Sequence, residues 1–235
     1  MLKEFLYSAL WFSTSHLFRR RKPLQTVLFI TDYCNLNCRH CNVYNLENPT
    51  MKSIEQVEEE LRYSYQLGSR FVDFEGGEPL LWRDEDLDIN DLVDLAKQIG
   101  FFSVTVTTNA QFPFDHLHAD SIWVSLDGIG EYHDKIRGDG AFQKLEENVA
   151  NSKHKHLHAN MVINSLNYKN LEETLEYVHN HPKFSSISLN FHTPYPGTET
   201  LFLPWDIRKE LIDKILQFKK KGYPIMNSKS GLEYM

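Results

Sequence analysis

The stretch Cys34-Asn-Leu-Asn-Cys38-Arg-His-Cys41 contains all three cysteines of the chain. Its spacing, three residues and then two, places three thiolates on one short loop. A cubane iron–sulfur cluster usually takes four thiolate ligands, so three leave one iron open to a ligand from outside the protein. A zinc site or three buried cysteines are the alternatives, although structural zinc sites commonly pair Cys or His residues from both ends of a module. The spacing favours a cluster with a catalytic role.

The cysteine loop follows the first of six strand-like segments, and helical segments alternate with the strands along the chain. The strands are predicted at Thr26–Thr31, Arg70–Phe74, Phe102–Thr107, Ser121–Leu126, His158–Ile163 and Ser185–Phe191. The helices between and after them are predicted at about 53–67, 91–99, 141–152, 171–180 and 206–221. Such alternation requires a parallel sheet with right-handed crossovers, so we predict an α/β fold. The distinctive residues follow strand ends, where α/β barrels build their sites.

The composition describes a globular protein without a nucleic-acid partner. A chain of 235 residues is long enough for one substantial domain with a buried core. Hydrophobic residues make up 41% and charged residues 24%, and the net charge of −7 gives no broad basic surface for nucleic acid. Three clustered cysteines indicate a reducing compartment rather than a disulfide framework, so we expect a cytoplasmic protein.

The first 22 residues combine an apolar helical stripe with a basic end, Arg19-Arg20-Arg21-Lys22. The uncharged run 5–18 is too short to cross a bilayer. It suits a helix that lies in the interface on the inner membrane face, where basic residues meet anionic lipid. A helix packed on the domain, with a solvated basic run, is the alternative. We predict three segments: the helix at 1–22, a core at 23–221 and a C-terminal extension at 222–235.

A CxxxCxxC loop after a hydrophobic strand resembles the signature of the radical S-adenosylmethionine (radical SAM) superfamily. The resemblance implies a partial TIM-type (βα)6 barrel and a 4Fe-4S cluster held by Cys34, Cys38 and Cys41. It implies that the amino and carboxylate groups of SAM bind the open iron, and that an electron donor such as flavodoxin or ferredoxin reduces the cluster. His40 stands where the family usually has an aromatic ring against the adenine.

The segment Gly76-Gly77-Glu78-Pro79 resembles the GGEP motif of the same family. Two glycines allow the backbone to approach a ligand closely, and proline fixes the turn and removes a competing donor. The resemblance implies that carbonyl groups and Glu78 receive the ammonium group of SAM. An ordinary glycine turn is the alternative.

Two later segments also resemble family motifs. Thr107-Thr108-Asn109-Ala110 resembles a TNG segment with alanine in place of glycine, which implies that Asn109 contacts the ribose or methionine part of SAM. Ser125-Leu126-Asp127-Gly128 with His133-Asp134-Lys135-Ile136-Arg137-Gly138 resembles an SxDG…HDxxRG pattern. It implies that Ser125 binds the ribose hydroxyls, that Asp127 takes part in binding SAM and that Arg137 binds the methionine carboxylate. For both Asn109 and Asp127, a residue that only turns the chain is the alternative.

The resemblance implies an enzyme that cleaves SAM reductively to a 5′-deoxyadenosyl radical, which acts on an unactivated C–H bond or alkene. The N-terminal segment favours a lipid or isoprenoid substrate, and the chain has a loose similarity to the hopanoid-adenosylating branch, including its tail at 227–232. A peptide- or protein-modifying enzyme and a non-catalytic iron–sulfur or zinc-binding module are the alternatives.

Overall fold

The computed structural model describes residues 2–17, 22–42 and 48–235. Its helices are α1 Leu2–Leu17, α2 Ile54–Leu67, α3 Ile89–Ile99, α4 Glu131–Arg137, α5 Ala141–Asn151, α6 Leu171–Asn180, α7 Trp205–Lys220 and α8 Lys229–Glu233. Its strands are β1 Gln25–Thr31, β2 Phe71–Gly76, β3 Ser103–Thr108, β4 Ser121–Ser125, β5 Leu157–Ile163 and β6 Phe184–Phe191. Most of the basic run predicted to contact lipid, Arg19-Arg20-Arg21, lies outside the described residues.

The six strands form one sheet in chain order, and the α/β fold predicted from the sequence is confirmed. Each predicted strand lies within two residues of the observed bounds. Helix α4 is an element that the sequence did not predict. It is only seven residues long, with Gly130 before it and Gly138 after it, and such a short segment gives little periodic signal.

One compact unit contains the described parts of residues 1–33, 45–107 and 117–121. In it β1 and β2 pair in parallel from Gln25↔Phe71 to Thr31↔Gly76, and β2 pairs in parallel with β3. Alternate β3 residues, Val104 and Val106, are fully buried, as expected for a sheet with one apolar face. The opposite face of the strand carries polar side chains.

Helix α2 begins as the sequence predicted. Ser53 accepts a hydrogen bond from the backbone N–H of Gln56, and the Gln56 side chain accepts one from the backbone of Ser53. This capping box satisfies two donors that the first turn leaves unpaired. Gly68 ends the helix with φ +115, a left-handed conformation that glycine adopts without strain.

The second compact unit contains the described parts of residues 34–44 and 108–116, together with 122–235. In it β5 pairs in parallel with β4 and with β6. Burial alternates along β5, with Leu157, Ala159, Met161 and Ile163 fully buried and the residues between them partly exposed. The cysteine loop belongs to this unit, as do the segments after β3 and β4.

Candidate functional site

The cysteine loop leaves the C-terminal end of β1. Cys38 is buried, whereas Cys34 and Cys41 are partly exposed. The backbone N–H of Cys41 donates to the carbonyl of Cys38 at 3.1 Å, which closes a tight turn between the last two thiols. The N–H of Arg39 donates to the carbonyl of Ile136 at 2.9 Å and so ties the loop to the end of α4.

Nitrogen donors from three different segments reach two of the sulfurs. The backbone N–H of Leu36 and the side-chain amide of Asn109 donate to Cys34 Sγ at 3.5 and 3.7 Å. Arg137 Nη1 lies 3.9 Å from Cys38 Sγ. Such donors stabilise a sulfur that carries negative charge, as a metal-bound thiolate does.

Burial raises the pKa of the Cys38 thiol to about 11, while Arg137 acts in the opposite direction. The neighbouring Asp127, Cys34 and Cys41 raise this pKa further, so the three thiols are close enough to influence one another. A buried thiol of this kind ionises when a metal takes the place of its proton. The three neighbouring thiols therefore fit a metal group that is bound by three thiolates.

Among residues 2–17, 22–42 and 48–235, no group of three or more His, Cys, Asp or Glu side chains is arranged to hold a single metal ion. A cubane cluster has a different requirement, because each cysteine binds a different iron atom. The three sulfurs therefore do not need to converge on one point.

The GGEP segment is pinned to the backbone that leads into the cysteine loop. The N–H of Gly77 donates to the carbonyl of Thr31 at 2.6 Å, and that of Glu78 donates to Tyr33 at 2.7 Å. A Cβ on Gly77 would lie 2.1 Å from the Tyr33 oxygen, and one on Gly76 would lie 2.3 Å from the Thr31 oxygen. Glycine is therefore required at both positions by this contact.

Glu78 is fully buried, and its carboxylate accepts a hydrogen bond from the N–H of Leu80 at 3.1 Å. Pro79 begins the short 3-10 turn Pro79–Leu81 that follows. The structure thus gives the Glu78 side chain a capping contact, in addition to the SAM contact that the motif predicts.

Asn109 lies directly after β3 and is buried. Its side-chain amide donates to Asn35 Oδ1 at 2.9 Å, and its oxygen accepts from the N–H of Gln111 at 3.0 Å. Ala110, which stands where the TNG segment has glycine, has φ +57. This left-handed conformation explains why glycine suits the position and why alanine carries a small strain there.

Asp127 follows β4 and is completely buried. Its carboxylate accepts hydrogen bonds from Arg137 Nε at 2.6 Å and from the N–H of Val162 at 2.9 Å. Burial alone raises the pKa of Asp127, but Arg137 and other neighbours outweigh it and the pKa is lowered overall. Ser125, predicted to contact ribose, is partly exposed at the end of β4.

His40 lies in the cysteine loop with its Nε2 atom 3.7 Å from Asp127 Oδ2. Burial lowers the pKa of His40 to about 4, so its ring is neutral at pH 7. Its Nδ1 atom is buried and makes no hydrogen bond to any described residue. The Tyr195 hydroxyl donates to the His40 carbonyl, a contact that the sequence did not predict because the loop after β6 matched no motif.

A second acidic group, also not predicted, lies in the first unit. The Thr107 hydroxyl donates to Asp73 Oδ1 at 3.2 Å and to Glu75 Oε1 at 3.5 Å. Burial and the neighbouring Glu75 raise the pKa of Asp73 to about 7. One signal for this group was available, since Asp73 interrupts the apolar run Phe71–Phe74 of β2.

The fold and the cysteine loop define an α/β protein with three cysteine thiols on one loop after the first strand. A family model described as the radical SAM superfamily matches residues 28–178, and the chain belongs to this superfamily. The family uses a 4Fe-4S cluster and SAM, so the recognition and the cofactors predicted from the sequence are confirmed at the level of the family.

Two curated relatives and one solved protein illustrate the similarity. The chain is 25% identical over 232 residues to the Fe-coproporphyrin III synthase of Methanosarcina barkeri, covering 89% of the chain and 56% of the relative. It is 34% identical over 117 residues to a probable GTP 3′,8-cyclase of Methanothermobacter marburgensis, covering 46% and 37%. The structure of Streptococcus suis SuiB bound to S-adenosylmethionine matches with a TM-score of 0.70 at 20% identity, covering 93% of this chain and 54% of SuiB.

The similarity to SuiB concerns the fold, and the predicted partial barrel is confirmed by it. The chain spans about half the length of the first relative and of SuiB, at 56% and 54%. Relatives in this family are enzymes. Of the predicted site residues, the cysteines, His40, Asn109, Ser125, Asp127 and Arg137 lie in the second unit, and the GGEP residues lie in the first.

Proposed function

We propose that this chain cleaves SAM reductively at a 4Fe-4S cluster held by Cys34, Cys38 and Cys41. The cofactors would supply a 5′-deoxyadenosyl radical, which acts on an unactivated C–H bond or alkene of the substrate. The protein would hold the cluster, orient SAM and exclude water. The observation that carries the proposal is the single loop with three thiols, two of which receive nitrogen donors at 3.5–3.9 Å.

The proposed contacts to SAM follow from the motifs and their surroundings. The carbonyls of Gly76 and Gly77 and the Glu78–Pro79 turn would receive the ammonium group. Asn109 and Ser125 would contact the ribose or methionine. His40, with its neutral ring, would lie against the adenine.

The proposal is tested by assaying 5′-deoxyadenosine. The chain is reconstituted anaerobically with iron and sulfide, reduced with dithionite and given SAM, and the product is measured by mass spectrometry. We expect product from the wild-type chain and none from Cys38→Ala, because the cluster loses a ligand. Asn42→Ala, at an exposed residue just past the loop, is the matched control and should behave as wild type. Product formation by a folded Cys38→Ala chain would refute the assignment.

For the substrate we propose a lipid or isoprenoid, reached from the membrane surface, because α1 turns its apolar face outward. Phe5, Leu6, Leu10 and Leu17 are between 57% and 76% exposed. On the opposite side of the helix, the side chains of Tyr7 and Trp11 bind α1 to the rest of the first unit. The Tyr7 hydroxyl donates to the carbonyl of Gly68, and Trp11 Nε1 donates to that of Lys22 at 2.7 Å.

This orientation is the reverse of an ordinary surface helix, which buries its apolar stripe. An outward apolar face followed in sequence by Arg19-Arg20-Arg21-Lys22 matches the chemistry of an anionic membrane interface. Over the part of the chain that the structure describes, none of the helices has both the length and the apolar character needed to span a bilayer. The contact that we propose is a peripheral one, made by the exposed apolar face of α1.

Co-sedimentation with phosphatidylglycerol vesicles tests the membrane contact. The double variant Leu6→Glu/Leu10→Glu should lose vesicle binding, because two charges enter the exposed face. Leu67→Glu is the matched control, since Leu67 is an exposed leucine at the end of α2 in the same unit. Equal binding of wild type and the double variant would remove the reason for a lipid substrate.

A peptide or another polar molecule is the second candidate. SuiB has also been solved bound to its precursor peptide SuiA. In this chain, the buried Asp73 and the partly exposed Glu75 beside it would suit a polar substrate better than a hydrocarbon. This candidate covers both protein-modifying and small-molecule reactions. With either substrate, we propose that an electron donor such as flavodoxin or ferredoxin reduces the cluster.

A further inference from the structure

The guanidinium group of Arg137 is held by two partners at once. Its Nε atom donates to Asp127 at 2.6 Å, and its Nη1 atom faces Cys38 Sγ at 3.9 Å. Arg137 is 9% exposed and Asp127 is fully buried, so solvent does not weaken the pair. The sequence motif had predicted a different partner for Arg137, the methionine carboxylate of SAM.

The surrounding contacts fix this arrangement from both sides. Arg137 is the last residue of α4, and the carbonyl of Ile136 before it accepts the N–H of Arg39 at 2.9 Å. Two consecutive residues of α4 therefore contact two consecutive residues of the cysteine loop. On the other side, Asp127 also accepts from the N–H of Val162 at 2.9 Å, which holds its carboxylate in place.

We infer that the Asp127–Arg137 pair is a positioning device for the cluster ligand Cys38, and that it sets the reduction potential of the cluster. The inference rests on the proposed function, since it requires a cluster on Cys38. The Asp127 carboxylate orients the Arg137 guanidinium. The guanidinium then places an N–H and a positive charge beside Cys38 Sγ. Both stabilise the additional electron of a reduced cluster, so they raise its potential.

Arginine suits this task better than lysine because its planar fork serves two acceptors in fixed directions. The ammonium group of a lysine would keep the charge but lose the fixed geometry. The pair thereby differs from a SAM-binding arginine, whose loss would weaken SAM binding while leaving the potential of the SAM-free cluster unchanged.

An EPR-monitored redox titration of the reconstituted full chain without SAM tests the inference, with iron content measured in parallel. In Arg137→Met we expect the ratio of reduced to oxidised cluster at a fixed potential to fall about tenfold, which is about 59 mV toward negative values for a one-electron couple. Arg137→Lys should shift by less in the same direction. Arg39→Met is the control, and we expect a much smaller shift because the Arg39 side chain is exposed and screened.

SAM affinity, measured by equilibrium dialysis on the same samples, separates the two roles of Arg137. An unchanged potential in both Arg137→Lys and Arg137→Met would overturn the inference, whether or not SAM affinity falls. A tenfold loss of SAM affinity with an unchanged potential would assign Arg137 to the methionine carboxylate instead. A wild-type chain that forms no iron–sulfur signal would overturn the proposed function itself, which is a distinct outcome.

Discussion

Two buried aspartates, Asp73 on β2 and Asp127 after β4, meet opposite surroundings. Asp127 is fully buried beside Arg137, and the pKa of its carboxyl is lowered despite the burial. Asp73 is 6% exposed beside another acid, Glu75, and burial raises the pKa of Asp73 to about 7. Among the described residues, no Lys, Arg or His forms an ion pair with Asp73 or Glu75.

The comparison shows that burial alone does not decide the charge of an acidic group. Both aspartates incur the same kind of desolvation cost, and the neighbouring charge decides the outcome. Asp127 is ionised and contributes to the fixed structure around the cysteine loop. With a pKa of about 7, the Asp73 carboxyl changes its charge near neutral pH. The lowered pKa of Asp127 keeps its carboxylate charged over the same range.

The largest effect is expected from Asp127→Asn. The variant leaves the Arg137 guanidinium buried without a countercharge, and breaking a buried pair in this way costs about 3–5 kcal/mol of unfolding free energy. Urea unfolding of the metal-free chain measures this loss. Asp213→Asn, at an exposed aspartate of α7, is the control. A loss of less than about 1 kcal/mol would show that the pair does not stabilise the fold.

A smaller effect of opposite sign is expected from Asp73→Asn at pH 8. A carboxyl whose pKa is raised on folding binds more protons when folded, so wild-type stability should fall as the pH rises from about 4 to about 7. Asparagine removes this dependence, so the gain of the variant over wild type should be larger at pH 8 than at pH 5 by about 2–3 kcal/mol.

Urea unfolding of wild type and Asp73→Asn at pH 5 and pH 8 measures this difference. The gain should be present at pH 8 and much smaller at pH 5, where the wild-type carboxyl holds its proton. Equal differences at the two pH values would contradict the raised pKa and, with it, the contrast between the two aspartates.

The smallest effect is expected from Thr107→Val. This substitution keeps the shape of the side chain but removes the hydroxyl that donates to Asp73 and Glu75. We expect a loss of about 1 kcal/mol at pH 8, where ionised carboxylates use the donor most. Thr105→Val, two residues earlier on the same face of β3, is the matched control, because the Thr105 hydroxyl shares a hydrogen bond with the Ser121 hydroxyl at 3.3 Å and with no carboxylate of any described residue. A loss of the same size in both variants would mean that the carboxylates do not depend on Thr107.

The sequence was sufficient for the sheet and for the cysteine loop, because both depend on local patterns. The strand ending at Thr31 follows from a β-branched, apolar run, and the capping box at Ser53 follows from residue type alone. The glycine turn at Gly77 was also predictable from residue type. Its close contact with the carbonyl of Tyr33 became visible only in the structure.

The partners of charged residues were not accessible from sequence, because they depend on which segments meet in space. Arg137 was expected to bind a ligand, and its contact with Cys38 joins residues 99 positions apart. Tyr195 reaches the carbonyl of His40 across 155 positions. No spacing rule relates such residues, so their contacts remain invisible until the fold is known.

The central claim is that three cysteines hold a cluster with an iron open to SAM, and EPR tests it most directly. The anaerobically reconstituted chain is reduced with dithionite and its spectrum is recorded before and after the addition of SAM. We predict an iron–sulfur signal in the wild-type chain whose g values change when SAM binds. A chain that binds zinc instead of iron, or an iron–sulfur signal that SAM leaves unchanged, would contradict the claim.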